Sequence, residues 1–115
     1  MALFILLPSL HGRGLMKKHT QLGVQEDFFD KPTEASRRKL EIVIGYFDSY
    51  MNVLARDRDV GYGDLFAGPG RYDNGEKSVP VAICERVVAE ERLRRFVRLW
   101  FNEGDGELHS RLKRN

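Results

Sequence analysis

Apolar residues recur with a helical period in one stretch of the chain more clearly than anywhere else. Leu40, Val43, Ile44, Phe47, Met51 and Leu54 fall three or four positions apart, the spacing that lines one face of an α-helix. Charged Arg37, Arg38, Glu41, Asp48 and Arg56 take much of the opposite side. Thr33, just after Pro32, stands where an N-cap belongs, and Glu34 falls in the first turn, where negative charge is favoured. A helix is therefore predicted over 34–56.

Two short apolar runs follow. Val60-Gly61-Tyr62-Gly63-Asp64-Leu65-Phe66 reads as a strand, weakened by two glycines that offer no side chain to pack. Phe96-Val97-Arg98-Leu99-Trp100-Phe101 is the stronger strand candidate. Between them, Ala67 to Lys77 is rich in Gly, Pro, Asp and Asn and reads as an irregular loop. A second helix is expected to start near Ser78 to Pro80 and to carry Val81, Ile83, Cys84, Val87 and Val88 inward. Glu103-Gly104-Asp105-Gly106 turns the chain, and Glu107 to Asn115 begin a third helix. Helix, strand, glycine loop, helix, strand, helix start is the alternation of an α/β fold with a parallel sheet.

Residues 1–27 show no sustained period and are expected to form a flexible extension, with 28–115 as the folded part. Phe28-Phe29 is expected to dock as an aromatic pair on that part. The apolar start, Met1 to Leu10, lacks the basic flank and small-residue cleavage site of a signal peptide. It is also too short to span a bilayer. An upstream extension, with Met16 as the working start, is the expectation.

At 115 residues, 42% hydrophobic and 31% charged, the chain has the composition of one soluble domain at most. A net charge of +2 argues for neither nucleic acid nor membrane. The basic runs Arg92 to Arg98 and Arg111 to Arg114 read as solvated faces. Cys84 is the single cysteine, which excludes a disulfide framework and a cysteine metal site. A small buried hydrophobe in a reducing, cytoplasmic setting is its expected role. His11, His19 and His109 have no metal-ligand spacing, so no metal is expected.

The candidate chemistry lies in Asp64-Leu65-Phe66-Ala67-Gly68-Pro69-Gly70. A strand ends there in a tight turn of small residues, and backbone without Cβ lets a ligand approach closely. Ligands of open α/β sheets sit outside the carboxyl ends of the strands. Glu103, after the next strand, is an acid of the type that accepts ribose hydroxyls on its two oxygens. The gap from Gly70 to Glu103 exceeds the roughly twenty residues of a dinucleotide site, an excess that the Arg71 to Ser78 loop accounts for. A strand-to-helix turn with no ligand stays open as the plain alternative. So does a P-loop reading of Gly70 to Ser78, although Glu76 intrudes between Gly75 and Lys77 and shifts the lysine out of the phosphate-binding register.

Phe28-Phe29-Asp30-Lys31-Pro32-Thr33-Glu34 with Ser36-Arg37, then Tyr46-Phe47, then Asp64 to Tyr72, Gly75 and Lys77-Ser78, and finally Phe101-Asn102-Glu103 together resemble the three-Cys-motif partner family of bacteria. The resemblance covers roughly residues 28–112. It implies a partial Rossmann-like core similar to S-adenosylmethionine-dependent methyltransferases, with S-adenosylmethionine as possible cofactor and a protein carrying a three-cysteine motif as partner. Asp64, Gly68 and Gly70 match the first methyltransferase motif, and Glu103 matches the acid after the second strand. Gly63 departs from the pattern, which usually has a bulky apolar residue before that aspartate. On this resemblance the chain is expected to be truncated, to hold the cofactor-binding half without a catalytic block, and to be inactive alone. Self-association through the Trp100 strand is expected to compensate for the missing cover. A non-enzymatic interaction module, working through the 34–56 helix and the basic third helix, is the alternative from another class.

Overall fold

The helix predicted from the apolar period is α1, Glu34–Leu54, in a computed structural model that describes residues 29–115 and the backbone of strand β1, Ala2–Leu6. The Thr33 hydroxyl accepts a 3.1 Å hydrogen bond from the Ser36 N–H, satisfying one of the donors that a helix start leaves open. Val43, Phe47 and Met51 point inward from α1. Phe47 is fully buried, so Phe47→Ala would remove about 3–5 kcal/mol by opening a cavity.

The remaining elements are β2 (Val60–Asp64), α2 (Val79–Ala89), α3 (Glu91–Phe96), β3 (Val97–Phe101) and α4 (Gly106–Arg114). The sheet is parallel throughout, in the order β1-β2-β3. Val60 is paired with Ala2 on one side and Val97 on the other; Asp64 is paired with Leu6 and Phe101. The fold is thus mixed α/β, as the alternation predicts. The flexible extension expected over 1–27 meets a strand at Ala2–Leu6. The rest of that extension, and Phe28 of the expected aromatic pair, lie outside the described residues.

All five residues of β2 are buried, so the strand weakened by glycine is the central one. Tyr62 packs edge-on against Phe47 at 5.6 Å and tilts onto Phe101 at 6.1 Å. Burial raises the pKa of its phenol, and the Asp64 charge raises it further. Val97 joins the buried cluster with Ile83, Val87 and Leu93, while Leu99 and Phe101 pack at its margin. Alternation along the strand puts Arg98 and Trp100 on the opposite face, both exposed. They stand in register with Gly61 and Gly63. Two strands with unpaired edges would leave Phe96, Val97, Leu99, Trp100 and Phe101 exposed on at least one side; Val97 is instead buried, and Trp100 is half exposed.

Helix α2 follows Ser78, with Pro80 in the first turn, where a missing N–H costs nothing. Val81, Ile83 and Val87 are buried, but Val88 is exposed and Cys84 only half-buried. The inward set expected from sequence is too wide by these two, because each lies 100° around the helix from a buried neighbour. Burial, and then the Glu85 charge, raise the Cys84 thiol pKa. Helix α4 is capped by Asp105, whose Oδ1 accepts from the N–H groups of Glu107 and Leu108, each at 3.0 Å. Among the described residues no helix is long and apolar enough to cross a membrane.

Candidate functional site

The carboxyl ends of β2 and β3 are joined by hydrogen bonds that continue beyond the ladder. The Asn102 N–H donates to the Asp64 carbonyl at 2.8 Å, and the Ala67 N–H donates to the Asn102 carbonyl at 2.9 Å. The Asn102 amide nitrogen adds a 3.3 Å bond to the Leu65 carbonyl. Asp64 turns its own carboxylate on the Phe66 N–H at 2.9 Å, a short-range turn that lifts Leu65 and Phe66 off the sheet into solvent. The chain then folds back over the strand ends at Ala67 to Gly70.

Glu103 is the carboxylate that holds this turn. Its Oε2 accepts from the Gly68 N–H at 2.7 Å across 35 positions of sequence, and its Oε1 accepts from the Asp105 N–H at 3.1 Å. It is 7% exposed and Asp64 is 4% exposed. Charge-assisted bonds from backbone N–H groups are what make a buried carboxylate tolerable. Gly68 and Gly70 have φ of 72° and 84°, the left-handed region that residues with a Cβ avoid. Of the four residues singled out from sequence, the structure brings Gly68 and Glu103 into direct contact and sets Asp64 at the end of the same strand pair. Gly70 sits differently. A Cβ there would meet Asn115, Leu112 and Val81 at 3.2–3.3 Å, so Gly70 lets α4 close on the start of α2.

The residues after Gly70 form a loop pinned from several sides. Arg71 and Lys77 bridge antiparallel, and the Ser78 N–H and hydroxyl both donate to the Gly70 carbonyl at 2.8 Å. Arg37 of α1 forks onto Glu76 through Nε at 3.1 Å and Nη2 at 2.8 Å. That bond, with help from Asn74, holds the Glu76 carboxyl below its ordinary range and lifts the Arg37 guanidinium above its own. Arg111 of α4 pairs with Asp73, and Asn115 donates to the Pro69 carbonyl at 2.7 Å. The Asp73 and Asn74 N–H groups donate to the carbonyls of Phe29 and Asp30. Lys77 is drawn to Glu85 at 2.6 Å, which lowers the Glu85 pKa. Its amine is therefore committed to α2, and a P-loop reading gains no support from it.

Sequence reasoning quoted Asn102 within a motif block without giving it a role, and missed Asp73, Arg111 and Asn115 as parts of this edge. Each works through a contact dozens of positions away, which no local pattern reports. Arg37, Gly75, Lys77 and Ser78 do stand in the motif blocks, and the structure gives them a shared task in shaping the loop. Among the described residues no group of His, Cys, Asp and Glu could hold a metal ion. No protein-family model, curated protein or solved structure matches the chain.

Proposed function

We propose that the carboxyl edge of this sheet binds the adenosine portion of S-adenosylmethionine, in a Rossmann-like, methyltransferase-like unit of a three-Cys-motif partner protein. The observation that supports it is the Gly68 N–H bonded to the buried Glu103 carboxylate. It sets a glycine turn and a ribose-type acid side by side at the ends of neighbouring parallel strands. The Gly68 and Asp105 N–H groups hold the Glu103 carboxylate in place at this edge. Glu103 would take the ribose hydroxyls, while Gly68 would leave room for the adenosine to approach backbone.

S-adenosylmethionine brings an electrophilic methyl group on a sulfonium; the chain's residues at this edge orient the nucleoside that carries it. The pinned 71–77 loop would hold the turn in one conformation before a ligand arrives, which lowers the ordering cost of binding. The acceptor of the methyl group and the three-cysteine protein enter only through the family resemblance.

Titration calorimetry of the whole chain with S-adenosylmethionine, and with methionine as control, tests this reading. Binding of the first and not the second is expected. Gly68→Val should abolish it, and Glu103→Gln should weaken it about tenfold, the scale of one charge-assisted hydrogen bond. A parent chain that melts cooperatively yet shows no binding at millimolar ligand would overturn the assignment.

A further inference from the structure

The sheet ends on β3 with an unpaired edge. The Asn102 N–H and carbonyl both face β2, bonded to Asp64 and Ala67. Backbone groups alternate from residue to residue along a strand, so Arg98 and Trp100 also face β2, while Leu99 and Phe101 turn their N–H and carbonyl groups to the outer edge. Among the described residues β3 has no strand on that side, and Leu99 and Phe101 form no hydrogen bond there. Helix α4 leads away from this edge: it turns back over the glycine loop, with Leu112 at Gly70 and Asn115 on the Pro69 carbonyl. Edges of this kind are templates for a further strand, and β3 has none of the proline or lysine that usually blunts them.

The side chains of β3 point to the strand that fits. Reversed about Leu99, Val97 faces Phe101 and Arg98 faces Trp100. Leu99 on the axis would exchange N–H and carbonyl bonds with its counterpart, and each Phe101 N–H would reach the other copy's Val97 carbonyl. The Val97 N–H is already used at the end of α3, where it donates to the Leu93 carbonyl. Arg98 and Trp100 share the face turned away from the core, and both are exposed. The Arg98 guanidinium is held at the outer edge: Nη1 donates to the carbonyls of Arg95 and Val97 at 3.0 and 3.3 Å, and Nη2 lies 3.9 Å from Asp59. An antiparallel copy brings its Trp100 opposite that guanidinium, twice over by symmetry, at a non-hydrogen-bonded position where facing side chains are closest. Arginine against indole is a favourable cation–π couple. A patch that complements itself under reversal meets the requirement of a two-fold, isologous interface.

We propose that β3 pairs with β3 of a second copy, antiparallel and centred on Leu99, and joins the two three-stranded sheets into one across a two-fold axis. Arg98 of each copy sits against Trp100 of the other, while Val97, Leu99 and Phe101 continue the apolar row on the helix side. Strands of five residues make an interface below the roughly 1,200 Å² of a standard one, so the dimer is weak and forms as concentration rises. Neither Gly68 nor Glu103 takes part, and the pairing stands independently of the ligand proposed above.

Sedimentation equilibrium of the whole chain from about 1 to 500 µM tests the proposal across the range where such an interface assembles. A monomer–dimer equilibrium is expected. Trp100→Arg sets arginine against arginine at both positions, and Arg98→Glu removes both cations. Each should raise the dissociation constant at least about thirtyfold, the effect of losing one hot-spot residue. Both positions are exposed, so thermal melts of the two variants should stay cooperative. Mixed together, the two variants should regain a dimer as tight as the parent's, because the mixed pair has one glutamate–arginine and one tryptophan–arginine couple. Val53→Glu, on the exposed side of α1, should leave association unchanged. A chain that stays monomeric at the highest concentration overturns the proposal, and so does a mixture of the two variants that stays monomeric. A dimer that tolerates Trp100→Arg but is lost with Val53→Glu overturns it as well, since the contact would then lie on α1.

Discussion

The two ends of the sheet are each closed by one charged side chain reaching across the fold, and the charges are opposite. At the carboxyl end, Glu103 gathers N–H groups from two loops. At the amino end, Arg92 donates to the last carbonyls of α1, Met51 at 2.9 Å and Ala55 at 3.0 Å, with Asn52 Oδ1 at 3.2 Å. Arg92 answers a need that any helix terminus creates, since the final carbonyls have no partner within the helix. Glu103 answers no such need: the glycine turn it holds is bent into the left-handed region and folded over the strand ends. Similar hydrogen bonding thus supports two inferences. The cation completes a structural terminus, while the anion holds a glycine turn over the strand ends, where the proposed ligand site lies.

Removing the anion should do the greater damage. Glu103→Ala leaves the buried Gly68 N–H without its acceptor, and a loss of about 3 kcal/mol is expected in a urea melt. An unchanged midpoint would mean that the turn holds itself. Gly70→Ala comes next, at about 2–3 kcal/mol, since it combines a left-handed backbone with contacts at 3.2–3.3 Å. Gly75→Ala is its control: φ is 87° but the space is open, so about 1 kcal/mol is expected from conformation alone. If the two alanines cost the same, α4 does not press on Gly70 in solution. Arg92→Met should lie between these glycines, at about 1–2 kcal/mol, because two carbonyls at the end of α1 lose a charged donor while the helix cap bond from the Ala55 N–H to the Met51 carbonyl remains.

The smallest effect is expected from the Arg37–Glu76 fork at the surface. The depressed folded pKa of Glu76 means that its contribution is complete above the ordinary value of 4.5 and is lost as pH falls through the lowered one. The melting difference between the parent and Glu76→Gln should therefore shrink between pH 7 and pH 3. A constant difference would assign the fork no role in the pH response.

Much of this was legible where a local rule was strong. The 3.6-residue stripe and the Thr33 cap located α1, and Pro80 after Ser78 located α2. Placing Gly68 and Glu103 at the ends of parallel strands put both on one edge, but the hydrogen bond between them was not legible, since each was read toward a ligand. Helix α3 was not legible, because six residues with Leu93 alone buried carry no readable period. Strand β1 was hidden for another reason: a five-residue apolar run fits strand and helix equally until a partner is known. Val88 and Cys84 were assigned inward because they are apolar, yet the width of a helix face is set by what packs against it. The loop network after Gly70 depends on Arg37, Asp73, Arg111 and Asn115, whose meeting is a product of the finished fold.

Trp100 is the chain's only tryptophan, half exposed on the sheet face and in register with Gly63. Its fluorescence therefore reports a single place. With excitation confined to the indole band, emission from the native chain should be red-shifted and open to quenching by iodide, because Trp100 is half exposed. A molecule that settles on that face would shift the spectrum to the blue, so one indole reports association there by optical means, without labelling the protein.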